Sequence, residues 1–162
     1  MMNLALNTLP RGRSEQIFDS IAQLQKDESI DWEPLQLKVE LGVDRQGQNF
    51  YLHARVRCKG RFTCEAGMEL FEDELHGEFK TLLTFDPRYT EDNEEAEEII
   101  HIPAHEPDFD LYPLVRDAIL LAIPISHVCG DDCPEGQALM EGLREKAEPD
   151  ERWAKLKDMF KE

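Results

Sequence analysis

Residues 35–43, "LQLKVELGV", alternate apolar with polar or small side chains without a break, and this constrains the fold more than any other feature of the chain. Leu35, Leu37, Val39, Leu41 and Val43 fall on one side. A period of two sends successive side chains to opposite faces of a strand, so the segment predicts a β-strand with one face on a core. "DRQGQN" then reads as a hairpin turn. From Phe50 the alternation resumes through Leu52, Ala54, Val56, Cys58, Phe62 and Cys64, and continues to Met68 and Leu70. A further strand is predicted through Leu75, Phe79, Leu83 and Phe85, ending at the turn "DPRY". Together these segments predict an antiparallel meander with one buried face.

The second half changes period. In "DLYPLVRDAILLAIP", Leu111, Leu114, Val115, Ala118, Ile119 and Ala122 recur at helical spacing. Asp110 is the expected N-cap, Pro113 falls in the tolerant first turn, and Pro124 ends the run. After the loop "CGDDCPEG", the stretch "QALMEGLREKA" predicts a short helix weakened by its glycine. Asp150 would cap a last one, "ERWAKLKDMF", with Trp153, Leu156 and Phe160 in one stripe. The N-terminal "SEQIFDSIAQLQ" fits a helix through Ile17, Ile21 and Leu24. The expected fold class is α+β: an antiparallel meander with two or three helices packed beside it, the C-terminal ones following a cysteine-containing loop.

At 162 residues the chain predicts a single domain spanning 1–162, and 41% hydrophobic residues can build a core without a staple. Four cysteines are too few for a disulfide scaffold. No stretch has the apolar length of a signal peptide core or a membrane span. These observations predict a cytoplasmic protein without membrane partners. Eighteen Lys and Arg against thirty-five Asp and Glu give a formal net charge of −17. That charge repels nucleic acid at long range and favours solubility or a basic partner such as a ribosomal protein. Six acids in "EDNEEAEE" predict a solvated acidic loop near 91–98, which lacks the glycine and ligand spacing of a calcium loop.

Two constellations carry chemistry. Cys129 and Cys133 stand at C-x3-C, a spacing used by zinc knuckles, with His127 beside them as an alternative ligand. Cys58 and Cys64 share strand parity but are separated by about 20 Å of extended chain, so both reach one metal only if the chain reverses near Gly60. Otherwise one of them is a small buried hydrophobe. The second constellation lies on the opposite face of the same strand, where Arg55, Arg57, Lys59 and Arg61 form a basic ridge. Such a ridge is an RNA-binding candidate through local phosphate contacts. It is equally a set of cross-strand partners for acids such as Glu40, Glu69 or Glu78. "HIPAHEPD" brings His101, His105, Glu106 and Asp108 together in sequence, but Pro103 and the misplaced glutamate depart from a zinc-protease helix. The chain has no nucleophile elbow, P-loop or dinucleotide-binding glycine pattern, and nothing in it argues for an enzyme or a small-molecule substrate.

The segment "DLYPLVRDAILLAIPISHVCGDDC" followed by "DERWAKLKDMF" resembles the YceD family of bacterial and plastid proteins, described as large ribosomal RNA subunit accumulation proteins. Asp110, Val115, Arg116, Asp117, Leu120, Leu121, Pro124, Cys129 and Cys133 match its pattern, as do Asp150, Arg152 and Trp153. The strand entering "FTCEAG" looks like the family's C-x2-C strand, with Gly67 in place of the second cysteine. The family's later cysteines are replaced here by "PEGQALM". The resemblance carries Cys64, Cys129 and Cys133 over into a sulfur-rich structural zinc knuckle, with Cys58 or His127 as the fourth ligand and no catalytic metal. It also implies a noncatalytic factor in large-subunit ribosomal RNA accumulation, processing or assembly, whose partner is ribosomal RNA or a basic ribosomal protein. A metal-dependent RNA-processing nuclease is the alternative, and no paired-carboxylate motif supports it.

Overall fold

A computed structural model describes residues 2–88, 98–103, 106, 108–130, 133 and 138. They fall into two compact units. One holds the described residues of Met1–Phe62 and Glu72–Ile125; the other holds Thr63–Phe71 and the described residues from Ser126 onward.

Two of the first unit's three long strands form a hairpin, β3 (Glu33–Gln46) and β4 (Asn49–Thr63), while β1 (Asn3–Ala5) and β2 (Gly12–Phe18) precede them. The register of β3 on β4 sets Leu37 opposite Cys58, Val39 opposite Val56, Leu41 opposite Ala54 and Val43 opposite Leu52. All eight side chains are buried. Period two thus put both apolar rows on one face, where each fully buried Leu or Val contributes about 1.5–3 kcal/mol. Gln46 pairs with Asn49, so the turn is the two residues Gly47 and Gln48, narrower than the hexapeptide expected. Gly47 has φ 67°, a conformation glycine adopts without the Cβ penalty.

Next come β5 (Leu70–Thr84), β6 (Glu98–His101) and β7 (Asp108–Asp110). The main sheet runs β2-β3-β4-β5-β6, and β1 pairs with β7 in a separate two-stranded ladder. The short 64–69 connection makes β4 and β5 antiparallel neighbours. The sheet is not wholly antiparallel, because β6 lies parallel to β5, with Thr81 opposite Glu98 and Thr84 opposite His101. Thirteen residues separate the two strands, enough for the crossover a parallel pair requires. The acidic segment belongs to that connection; Glu98 opens β6, and 91–97 lie outside the described residues.

The expected N-terminal helix is instead β2 followed by a single 3-10 turn at Leu24–Lys26. Ile17, the first anchor of the supposed helical stripe, is 66% exposed and faces Glu40 across the ladder. Pairing seven residues with the free edge of β3 outweighed a short helical periodicity. Met68 and Leu70, read as strand continuation, are 75% and 69% exposed. The alternation ends with β4.

Helix α1 (Tyr112–Ala122) buries Val115, Ala118 and Ile119. Its N-cap is Leu111, one residue past the expected Asp110, but the Asp110 carboxylate accepts the Tyr112 N–H at 3.0 Å. The helix lies so close to β5 that a Cβ on Gly77 would stand 2.5 Å from the Ala118 carbonyl oxygen. Asp27 ties the preceding loop to this helix: its carboxylate accepts from Tyr112 Oη at 2.6 Å and from Ser29 Oγ at 2.6 Å, and pairs with Arg116 Nε at 3.1 Å. Among the described residues the α-helical ones are those of α1 and Ala138, so two or three packed helices are not shown there. The predicted helices at 137–147 and 151–160 lie outside the described residues, Ala138 apart. Among the described residues no helix is long and apolar enough to cross a membrane.

Candidate metal centre

Among the described residues of the second unit, three sulfurs come together. Cys64 opens a tight loop in which its N–H donates to the Glu69 carbonyl at 2.8 Å and its carbonyl accepts from Met68 N–H at 2.9 Å. Met68 closes the loop at φ 58°, a left-handed conformation uncommon for a residue with a side chain. This reversal aims the backbone N–H groups of Gly67 and Ala66 at the Cys64 sulfur, and the N–H of Cys129 joins them from the other loop. Those donors, Gly67 first, draw the thiol down to about 7 despite its desolvation. The other half of the centre comes from the 126–133 loop. Its His127 carbonyl accepts from Glu65 N–H at 3.0 Å, and Cys133 N–H donates to the Gly130 carbonyl at 3.2 Å.

The sulfurs of Cys64, Cys129 and Cys133 all lie within 4.8 Å of one another. Cys64 and Cys133 are 3.7 Å apart, and all four cysteines of the chain are free thiols. A disulfide would need about 2.05 Å. A tetrahedral zinc with Zn–S bonds of about 2.3 Å holds its sulfurs about 3.8 Å apart. The spacing is that of ligands around a shared cation, and the donor set fits a thiophilic metal. Cys129 is the exposed member, and its thiol is pushed up to about 12, first by its hydrogen bond with Cys133 and then by burial and the Cys64 sulfur. Three sulfurs this close ionise together only beside a positive charge.

Two expected ligands are not in this group. Cys58 is buried on the inner face of β4, and desolvation pushes its thiol up to about 12, as for a small core hydrophobe. The strand runs unbroken from Asn49 to Thr63, so there is no reversal at Gly60. His127 is buried, with its ring edge-on to Phe71 at 5.0 Å. Of "HIPAHEPD", His101 Nδ1 lies 3.1 Å from the Asp86 carbonyl and His105 is outside the described residues.

The basic ridge stands on the outer face of β4, as period two requires, and its charges are largely answered by acids. Arg57 meets Glu40 at 2.6 Å, Lys59 meets Glu72 at 2.8 Å, and Arg61 meets Glu33 at 2.8 Å and Glu72 at 3.6 Å. Glu40 is held below the usual carboxylate range by Lys38 and Arg57, and Glu72 by Lys59 and Arg61. Arg55 makes no ion pair among the described residues. Of the acids expected opposite the ridge, Glu40 takes Arg57, while Glu78 stands 3.9 Å from His53. Sequence reading missed Glu33 and Glu72, although the first sits opposite Arg61 in the ladder, a position that register alone supplies.

Comparison with curated proteins and with solved structures found no match. A family model described as "Large ribosomal RNA subunit accumulation protein YceD" matches residues 52–160, which run from β4 through all three clustered sulfurs. With about two-thirds of its length matched, the chain belongs to the YceD family.

Proposed function

We propose that this chain is a noncatalytic cytoplasmic factor for the accumulation of large-subunit ribosomal RNA, acting in its processing or assembly by holding a basic ribosomal protein. The family match over residues 52–160 carries this reading, since the family is described by accumulation and not by a reaction. The choice of partner rests on electrostatics. The net charge is −17, and three of the four ridge cations already face acids. Phosphate contacts would have to displace those carboxylates, whereas a cationic protein surface meets an excess of them.

In the same reading Cys64, Cys129 and Cys133 hold a structural zinc ion. Bound there, zinc supplies folding energy by joining the Cys64 loop to the 126–133 loop. The chain's own contribution is the N–H set on Cys64, which favours the thiolate before metal arrives.

Removal of the chain from cells, followed by the ratio of large- to small-subunit ribosomal RNA, tests the function. The expected result is a fall in the large-subunit species, restored by the intact chain. An unchanged ratio overturns the proposal. Co-purification read by mass spectrometry and RNA sequencing then identifies the partner class. RNA cleavage by purified protein with magnesium, absent without it, would establish the nuclease alternative instead.

A further inference from the structure

The main sheet ends at β2, which pairs with β3 on one side and has no strand beyond it among the described residues. An open edge presents N–H and C=O groups to any further strand, and natural edges are often blunted by lysine, proline or a bulge. The sequence of β2, "GRSEQIF", contains neither lysine nor proline, and Ile17 stands exposed on it. Arg13, Glu15 and Ile17 share the outer face, where Arg13 is 92% exposed and reaches Asp44 only at 3.8 Å. Glu15 is exposed and makes no ion pair among the described residues. On the inner face Ser14 Oγ is buried without a hydrogen-bond partner among them.

We propose that β2 is a self-pairing edge, joining antiparallel to β2 of a second copy about a two-fold axis at Ser14 to make one sheet through both chains. Charge selects the register. Directly opposed residues of an antiparallel pair share a face. With Ser14 on the axis, Arg13 of each copy faces Glu15 of the other, twice by symmetry. Ser14 then meets its own counterpart at a Cβ spacing of about 4.5–5.5 Å, within reach of a hydroxyl–hydroxyl hydrogen bond. Placing Glu15 on the axis would oppose two glutamates. Placing Gln16 there would set Glu15 against Ile17, and the acid opposite Arg13 would be Asp19, one residue past the end of β2. Within β2 itself, opposite charges meet in the first register alone.

Sedimentation of the full chain over a concentration series tests this, with the expectation of a reversible dimer. Arg13→Glu alone, or Glu15→Arg alone, places like charges opposite each other at both symmetric positions. Each should weaken dimerisation on the order of tenfold or more. The double exchange R13E/E15R recreates both pairs and should restore the dimer. Both side chains are exposed, so circular dichroism should report an unchanged fold in every variant. A monomer at all concentrations overturns the proposal. So does a dimer that either single reversal leaves intact, or that the double exchange fails to rescue.

Discussion

Replacing Gly77 by alanine should reveal how tightly α1 is held against the sheet. A Cβ at this position would lie 2.5 Å from the Ala118 carbonyl oxygen, 2.9 Å from its carbonyl carbon and 3.2 Å from its Cβ. Two of those three atoms are helix backbone, which cannot swing aside as a side chain can. The helix must lift, disturbing the burial of Val115, Ala118 and Ile119. Overpacking of this kind costs about 1–3 kcal/mol, and a backbone obstacle points to the upper half of that range. At roughly 2–4 °C per kcal/mol for a chain of this size, the expected loss is about 4–12 °C in Tm. Gly42 supplies the control within the same sheet, because a Cβ there meets only the His53 carbonyl oxygen, at an ordinary 3.6 Å. Gly42→Ala should be neutral, or stabilising by about 0.4–1 kcal/mol through the unfolded chain. Trimming Ala118 to glycine should not rescue G77A, since the nearest obstructing atoms remain. Thermal unfolding followed by circular dichroism reads all of these. If G77A melts with or above the parent chain, the close approach of α1 to β5 is wrong.

Asp27 should govern the acid limb of stability. Its carboxyl is lowered to about 2 from an ordinary 3.8, first by the Ser29 hydroxyl and then by Tyr112, so its stabilisation is complete above pH 4 and is lost as pH falls through 2. Asp27→Asn should flatten the stability profile across that window, and a profile of unchanged slope would refute the assignment. The purified 162-residue chain should carry about one zinc per molecule by elemental analysis, with chelation lowering its Tm. Cys129→Ser should abolish that zinc and Cys58→Ala should retain it; the reverse pattern would make Cys58 the ligand. Changing Arg55, Arg57, Lys59 and Arg61 together to glutamine should leave any RNA association unaltered. A fall in the log–log salt slope of about one unit per residue would show phosphate contact instead.

The hairpin was legible because a one-residue slip would have turned every apolar side chain of β3 or β4 to solvent. Helix α1 was legible from its prolines, which bracket the apolar stripe at Pro113 and Pro124. Strand β2 was not. Ile17, Ile21 and Leu24 satisfy a helical template, and the competing term, the unpaired edge of β3, is nowhere in the local sequence. Strands β1 and β7 are three residues each, shorter than any period can reveal. The parallel seating of β6 depends on where a long connection returns, which periodicity also does not encode. At the site, C-x3-C spacing picked out Cys129 and Cys133, whereas the choice between Cys58 and Cys64 turned on whether β4 bends. The sequence left both a reversal at Gly60 and a straight strand open; in the structure Gly60 lies within the continuous strand, with Trp32 close enough that an added Cβ would meet its ring at 2.5 Å.

The boundary of the family match gives the ridge a sharper meaning. The match begins at residue 52, so the ridge cations lie inside it, whereas Glu33 and Glu40 lie before it on β3. Glu72, the remaining acid, is inside. The neutralisation of Arg57 therefore depends wholly, and that of Arg61 partly, on a strand the family model does not cover. Exposed pairs of this kind are individually weak. Their consequence lies in the surface they leave: part of the positive charge that would attract phosphate is offset, with Glu40 shared between Arg57 and Lys38, on a chain whose overall charge already repels nucleic acid. Strand β3 thus does two things at once. Its inner face completes the core with Leu37, Val39, Leu41 and Val43, and its outer face offsets part of the positive charge on the neighbouring strand through Glu33 and Glu40. The same register that folds the sheet sets Glu33 and Glu40 beside the ridge, which supports the proposed protein partner over RNA.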